Sequence, residues 1–367
     1  MGEQQVILVT GAAGYWGSRV ARGLLVEPEV HVIGVDRAAA EEVEIEGLDY
    51  IQADPGNPLL AELLRVEQVK TVCHLAFEET ARPNETSFEY NVMGAIKLLG
   101  ACAESGVRRV VLKSSTMVYG AAPNNSAFLM EDAPLRGGRR AGYNRYRCEI
   151  ESFINGFRRQ APELDITVLR FANVVGPTAD TPMNRYLSNR LPPTLLGFDP
   201  MMQVIHEDDV VGALVHAAHS EVSGPFNIAA DPPMPLLRIL ALAGRLPLPL
   251  AHPLVYRGSA LLGARRVATY LPFETDYLRY RWVADLTRMR ELLGFFPQHM
   301  ANEALEALAR HLRTAPFTER RDGHGADAEA LQAIIDERRA RREASDKATE
   351  QPQVEGSEHE AEDVENG

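Results

Sequence analysis

Residues 6–17 of the chain read VILVTGAAGYWG. The first four form a continuous aliphatic run, which is typical of a strand that is buried on both faces. Glycines follow this strand directly, and residues 18–25 have a helical pattern. In that context, glycines let the backbone approach a pyrophosphate at the positive end of a helix. The stretch therefore predicts a dinucleotide site, and its predicted contacts are Gly11, Gly14, Tyr15, Trp16 and Gly17.

More aliphatic runs follow, separated by stretches of helical pattern. Continuous runs of this kind predict a parallel sheet that is covered by helices on both faces, a doubly wound α/β (Rossmann) fold. The further predicted strands lie at 30–35, 71–75, 110–112 and 166–169.

The chain divides into three predicted parts. Residues 1–177 are expected to form mainly the dinucleotide-binding domain. Residues 178–317 are rich in proline and are expected to form a smaller substrate-binding lobe, with late strands returning to the main sheet. Residues 318–367 are a tail, with an amphipathic helix over 328–342 and then a disordered acidic end. The tail has two interpretations, a solubilising segment or a docking segment for a protein partner.

Composition excludes several classes of protein. The 367 residues are 45% hydrophobic and 24% charged, as in ordinary globular proteins. Of the net charge of −13, residues 343–367 carry −8, so the folded part is nearly neutral and a nucleic-acid partner has no electrostatic support. The three cysteines form no CxxC pair and no metal-ligand cluster stands out, so we expect a reducing compartment and no metal.

The expected location is the cytoplasm. No signal-peptide pattern precedes the first strand, and no run of about 18 apolar residues predicts a membrane span. Residues 236–271 are rich in Leu, Ala and Pro. They are interpreted either as a packed helical lobe or as an apolar wall that contacts a lipid-like substrate or a membrane surface.

Asp36 ends the second predicted strand and bears on the choice of cofactor. An acid at this position accepts hydrogen bonds from ribose hydroxyls and repels a 2′-phosphate, which favours NAD over NADP. Arg37 follows it and weakens that preference, since an arginine can accommodate the phosphate.

Several ordered motifs over residues 6–297 resemble those of the extended short-chain dehydrogenase/reductase family, in its UDP-glucose 4-epimerase-like epimerase/dehydratase branch. They are HLA at 74–76, NVMGAIKLL at 91–99, SSTMVYG at 114–120, RFANVVGP at 170–177, IHEDDV at 205–210 and LGFFP at 293–297. The resemblance implies that the cofactor is NAD and that relatives commonly form homodimers. It also implies a substrate contact at Asn173 and further cofactor contacts at Asp54, Leu75, Ala76 and Asn91.

The resemblance also implies a catalytic set, in which Tyr143 is the general acid/base and Ser115 binds the substrate oxygen. The family carries a lysine four residues after the tyrosine, where it lowers the tyrosine pKa and holds the nicotinamide ribose. This chain has Arg147 there. Three interpretations follow. In the first, Arg147 supplies the positive charge that the family's lysine supplies. In the second, Lys113 supplies that charge instead, from the same strand face as Ser115. In the third, the protein binds NAD without catalysing a reaction.

The substrate side departs from nucleotide-sugar relatives as well. They often carry a pyrophosphate-binding arginine four residues before the motif histidine, His206, and here that position is Met202. Arg185 and Arg190 lie nearby in the sequence, and His206 is expected to be mainly structural.

The predicted function is NAD-dependent hydride transfer from a hydroxyl-bearing small molecule, possibly a nucleotide sugar. One alternative is a hydroxysteroid-like dehydrogenase or reductase that acts on an apolar alcohol. The other is a noncatalytic NAD(H)-binding sensor or scaffold.

Overall fold

The computed structural model describes residues 5–79, 84–138, 144–251 and 274–314. Tyr143, residues 252–271 of the apolar stretch at 236–271 and the whole tail at 318–367 lie outside the described residues. Residues Met1–His311 form one compact unit, and Leu312–Gly367 form a second, of which 312–314 are described. The division at residue 177 stays a prediction.

Short strands and helices alternate along the first unit. The strands are β1 (Gln5–Thr10), β2 (Val30–Asp36), β3 (Asp49–Gln52), β4 (Thr71–His74), β5 (Arg109–Ser115), β6 (Asp165–Phe171), β7 (Asn173–Val175), β8 (Pro193–Leu195), β9 (Met201–Met202), β10 (Val204–His206), β11 (Gly224–Ile228), β12 (Met234–Pro235) and β13 (Leu248–Leu250). The helices are α1 (Tyr15–Leu24), α2 (Leu60–Val66), α3 (Glu85–Phe88), α4 (Gly94–Ser105), α5 (Arg145–Phe157), α6 (Pro182–Ser188), α7 (Glu207–His219), α8 (Leu236–Leu242), α9 (Thr287–Glu291) and α10 (301–314). A π-helical turn, Glu89–Met93, joins α3 to α4.

Seven strands form the central sheet in the order β11-β6-β5-β4-β1-β2-β3, and every neighbouring pair is parallel. One apolar layer packs α1 and α7 against the sheet, with Leu24 and Leu214 fully buried in it. The other packs α2, α4 and α5, with Leu98 and Ile154 buried. The predicted doubly wound fold is therefore confirmed.

The order of the strands reverses between β1 and β4. In doubly wound sheets, ligands bind in the crevice at this switch point, outside the carboxyl ends of the strands. The glycine turn follows β1, and the 74–76 motif ends β4 and enters the loop after it. Ser115 ends β5 and Asn173 follows β6, so the sheet itself brings the motifs to one edge.

After residue 177 the chain builds small two-stranded ribbons, β12 with β9 and β13 with β8, and β11 returns to the edge of the central sheet. Among the residues that the structure describes, no helix is long and apolar enough to cross a membrane.

Candidate active site

Two glycines where β1 passes into α1 have no room for a side chain. Gly11 has a φ of +72°, and a Cβ on it would lie 2.7 Å from the backbone nitrogen of Ala76. A Cβ on Gly17 would lie 1.9 Å from the carbonyl oxygen of Gly11. No side chain caps the N-terminus of α1 at Gly14. The turn therefore offers free helix N–H groups and an open backbone surface, which fits the pyrophosphate of a dinucleotide.

Asp36 lies at the carboxyl end of β2, next to this turn. Its carboxylate accepts the backbone N–H of Ala13 at 3.1 Å and that of Ala38 at 3.2 Å. Arg37 pairs with Glu78 at 2.6 Å and lies over the ring of Tyr90, whose centroid is 3.9 Å from the guanidinium carbon. The arrangement keeps an acid at the end of β2 and pairs the neighbouring arginine with a different acid.

Arg37 and Tyr90 line an open groove together with Asp54, and its other lining residues include Gly56, Glu89, Gly94 and Lys97. Asp54 itself accepts the N–H of Gly56 at 2.7 Å. The groove includes Arg37, which directly follows Asp36 at the end of β2, so its position fits the adenosine end of a dinucleotide.

The loop after β4 packs against the glycine turn. Leu75 and Ala76 are buried, and both of their N–H groups donate to the hydroxyl oxygen of Thr10. The amide of fully buried Asn91 accepts the N–H of Glu78 and donates to its carbonyl oxygen, at 2.8 and 2.9 Å. Asn91 thus fixes the loop, and the backbone of Ala76 lies directly against Gly11 of the glycine turn.

Ser115, Lys113 and Arg147 line one cleft with Asn173 and Glu79. The hydroxyl oxygen of Ser115 accepts the N–H of Met117 at 3.2 Å, which leaves the Ser115 proton free to be donated. Arg147 is only 5% exposed and pairs with Glu79 at 2.8 Å. The cleft therefore has a hydroxyl donor, two cations and one acid at the end of β5.

The start of α5 is anchored beside this cleft. Asn144, which follows Tyr143 in the chain, is buried, and its amide donates to the Tyr277 hydroxyl at 3.4 Å. That hydroxyl in turn donates to the carbonyl of Met117 at 2.8 Å, two residues after Ser115. The backbone next to Tyr143 is thus tied to the turn that carries Ser115.

A buried ion pair holds the body of α5 against the sheet. The Arg170 guanidinium, 3% exposed, donates to Glu151 at 2.6 and 2.8 Å and to the Tyr119 hydroxyl at 2.7 Å. Glu151 also accepts the Ser114 hydroxyl at 2.5 Å. The arginine of the 170–177 motif therefore fixes α5 relative to the end of β5, where Ser115 lies.

On the substrate side, the amide of Asn173 donates to the carbonyl of Gln203 at 2.8 Å, and the residue also lines the cleft. Met202 is buried in β9 and presents no charge. Arg185 is held by Asp180 through two 2.6 Å bonds, and Arg190 is exposed.

His206 caps the start of α7 by accepting the N–H of Asp208, which agrees with a structural role. Its ring stacks on that of His299 with centroids 4.1 Å apart. Ligand atoms of His206, Asp208 and His299 lie within 4.8 Å of one another, but the two Nδ1 atoms already bond to Asp208 and Asp209.

Two acids at the site were missed by sequence reasoning. Glu79 lies in the loop that follows the 74–76 motif, and its position in the sequence does not predict its ion pair with Arg147. Glu207 belongs to the 205–210 motif, where three successive acids suggest only a helix start. In the structure it accepts the Tyr15 hydroxyl at 2.9 Å and the N–H of Ala179 at 2.6 Å.

The sequence and the fold of this chain are similar to those of known proteins. The NAD dependent epimerase/dehydratase family matches residues 7–229, and the chain belongs to that family. An uncharacterized protein of Mycobacterium tuberculosis is 36% identical over 324 residues, covering 85% of each chain. The UDP-glucose 4-epimerase of Mycolicibacterium smegmatis is 26% identical and covers 83% of this chain and 98% of its own.

The fold is also that of solved sugar-nucleotide enzymes. The UDP-glucose 4-epimerase of Thermotoga maritima, solved with UDP-glucose, superposes with a TM-score of 0.64 at 22% identity, over 85% of this chain and 99% of that one. The Thermus thermophilus enzyme, in complex with NAD, gives 0.63 at 21% identity, over 85% and 100%. The family match confirms the predicted epimerase/dehydratase membership and NAD as the cofactor, and the solved structures show the same fold.

Proposed function

We propose that this protein is an NAD-dependent enzyme that oxidises a hydroxyl-bearing carbon of a nucleotide sugar and returns the hydride, as an epimerase does. The observation that carries the proposal is the meeting of the glycine turn, Ser115 and Asn173 at one edge of the sheet. The similarity to UDP-glucose 4-epimerases over most of both chains supports the substrate class.

The residues would hold NAD along the crevice. The glycine turn and the start of α1 would take the pyrophosphate, Asp36 the adenosine ribose and the Asp54 groove the adenine. When bound, NAD supplies a hydride acceptor. The Asp36 carboxylate, with Arg37 paired to Glu78, favours NAD over NADP.

The chemistry of the chain itself is proton transfer and orientation. Ser115 would donate its free proton to the substrate oxygen, and Asn173 would orient the sugar. Tyr143 would take the hydroxyl proton as general base and return it as general acid. A phenol has a pKa of about 10, so it needs a nearby positive charge to work near neutral pH.

Conversion of UDP-glucose tests this proposal. We expect the purified protein with NAD to form UDP-galactose, detected by proton NMR of the sugar. Tyr143→Phe should lose at least about 100-fold in rate, within the usual range for removing an acid/base group. Ser105→Ala, at the partly buried last residue of α4, serves as the matched control for Ser115→Ala. Equal rates for wild type and Tyr143→Phe would contradict the proposed role of Tyr143.

A further inference from the structure

Arg147 occupies the helix position where the sequence resemblance places a lysine, but its charge is already neutralised. Its guanidinium pairs with Glu79 at 2.8 Å and lies over the ring of Phe77, with 4.4 Å from its carbon to the ring centroid. A guanidinium also stays protonated at every accessible pH. Arg147 and Glu79 together therefore form a fixed, neutral pair in the wall of the cleft.

Lys113 has the opposite character. It lies on β5 two residues before Ser115, so both side chains share one face of the strand. Its ammonium group lies 4.8 Å from the ring centroid of Trp16, in the first turn after the glycines. Within the described parts of the chain, no hydrogen bond or ion pair within 4 Å engages this ammonium group. It is a cation that lines the cleft without a polar partner.

The pKa of Lys113 depends on its burial and on the charges around it. Burial lowers the pKa of Lys113 to about 8, the Glu79 carboxylate opposes that shift, and the Arg147 guanidinium adds to it. The other ionisable groups lining the adjoining cavity are His74, which bonds to Thr10, and Glu151, which bonds to Arg170. A bound anion would relieve the cost of keeping this ammonium charged.

We propose that Lys113, and not Arg147, supplies the free positive charge of the active site and interacts with NAD when the cofactor binds. The inference rests on the proposed function, because it assigns the charge that the acid/base chemistry requires. Its basis is the position of Lys113 between Trp16 of the phosphate-binding turn and Ser115, together with the commitment of Arg147 to Glu79.

The chain has only four lysines, Lys70, Lys97, Lys113 and Lys347, which makes a direct test practical. Protein labelled with ¹³C at lysine Cε gives one NMR signal for each, assigned with single Lys→Arg variants. We expect Lys113 to titrate well below the ordinary lysine range, and saturating NAD to move its signal and raise its pKa.

Binding is followed separately by the fluorescence of the protein's tryptophans. If NAD binds and the Lys113 signal and titration do not change, this inference alone is overturned. If NAD does not bind at all, the proposed function fails together with it.

Substitutions give a second readout that does not depend on finding the substrate. Lys113→Met should weaken NADH binding at least about tenfold, and Lys113→Arg should recover most of the loss. Lys70→Met, at an exposed lysine outside the cleft, is the matched control. Circular dichroism verifies that each variant is folded. A large loss of NADH affinity in Arg147→Met with none in Lys113→Met would overturn the inference.

Discussion

The hydroxyl group of Tyr15 donates a 2.9 Å hydrogen bond to the buried carboxylate of Glu207, 192 residues further along the chain. Glu207 also accepts the N–H groups of Thr178 and Ala179. The acid therefore joins the first turn of α1 to the start of α7 and to the loop after β7. Burial raises the pKa of Tyr15, and the neighbouring Glu207 charge adds to the shift, so this phenol stays protonated as a donor.

Replacing Glu207 tests this junction. Glu207→Ala leaves several buried donors without an acceptor, so we expect a loss of about 3 kcal/mol in the free energy of unfolding. NADH affinity should fall as well, since Tyr15 belongs to the turn at the predicted cofactor site. Urea unfolding and NADH titration measure the two effects. Asp208→Asn, at an exposed neighbouring acid, should change both far less, and equal effects would contradict the junction.

Replacement by alanine should have opposite effects on stability at two glycines, one beside the glycine turn and one inside α4. Gly17→Ala should abolish NADH binding and lower the melting temperature, because the new methyl group would lie 1.9 Å from the Gly11 carbonyl oxygen. Gly100→Ala, inside α4 with nothing within 4 Å of the new carbon, should raise stability by about 0.5–1 kcal/mol. Normal NADH binding by Gly17→Ala would show that this turn is not at the cofactor.

Asp36 should set the choice between the two nicotinamide cofactors. Asp36→Asn removes the charge that repels a 2′-phosphate and keeps one acceptor for the N–H of Ala13. We expect the ratio of NADPH to NADH dissociation constants to fall at least about tenfold, from about 1.4 kcal/mol of relieved repulsion. Fluorescence titration measures both constants, with Asp49→Asn on β3 as control. An unchanged ratio would remove Asp36 from cofactor selection.

His74 should make stability depend on pH. The Thr10 hydroxyl accepts the N–H groups of Leu75 and Ala76, so its own proton goes to Nδ1 of a neutral His74. Burial lowers the pKa of His74 to about 4. The unfolded chain therefore takes up this proton first, and stability is lost as pH falls from about 6.5 towards about 4.

The free energy of unfolding that is lost through protonation of His74 should reach about 3 kcal/mol at the acidic end of this pH range. Urea unfolding at a series of pH values measures it, and the curve for His74→Gln should be flatter over that range. Identical pH dependence in wild type and variant would mean that His74 does not titrate as its buried environment requires.

The fold could be predicted because its signals are local. Aliphatic runs such as Val6–Val9 specify buried strands, and the glycine pattern specifies the turn between β1 and α1. The parallel arrangement then brings Ser115 and Asn173 to the same edge as that turn. These features depend on residues close in the sequence or on the general rule for doubly wound sheets.

The partners of the charged residues could not be predicted in the same way. Arg147 and Glu79 are 68 residues apart, and the path of the loop after β4 decides that they meet. Asn91 was predicted as a cofactor contact, and the structure shows its amide bound to the backbone of Glu78. Arg37 similarly pairs with Glu78 and lies on the ring of Tyr90. Each of these outcomes depends on tertiary packing that no spacing of motifs encodes.

The most direct test of the account is to load the purified protein with NAD and add UDP-sugars one at a time, recording the absorbance of NADH. We predict that at least one UDP-sugar reduces the bound NAD, and that Tyr143→Phe binds NAD normally but shows no reduction. Bound NAD that no UDP-sugar reduces, with no change in any sugar, would contradict the account. If an apolar alcohol reduced the bound NAD instead, the substrate would be an apolar alcohol and not a nucleotide sugar.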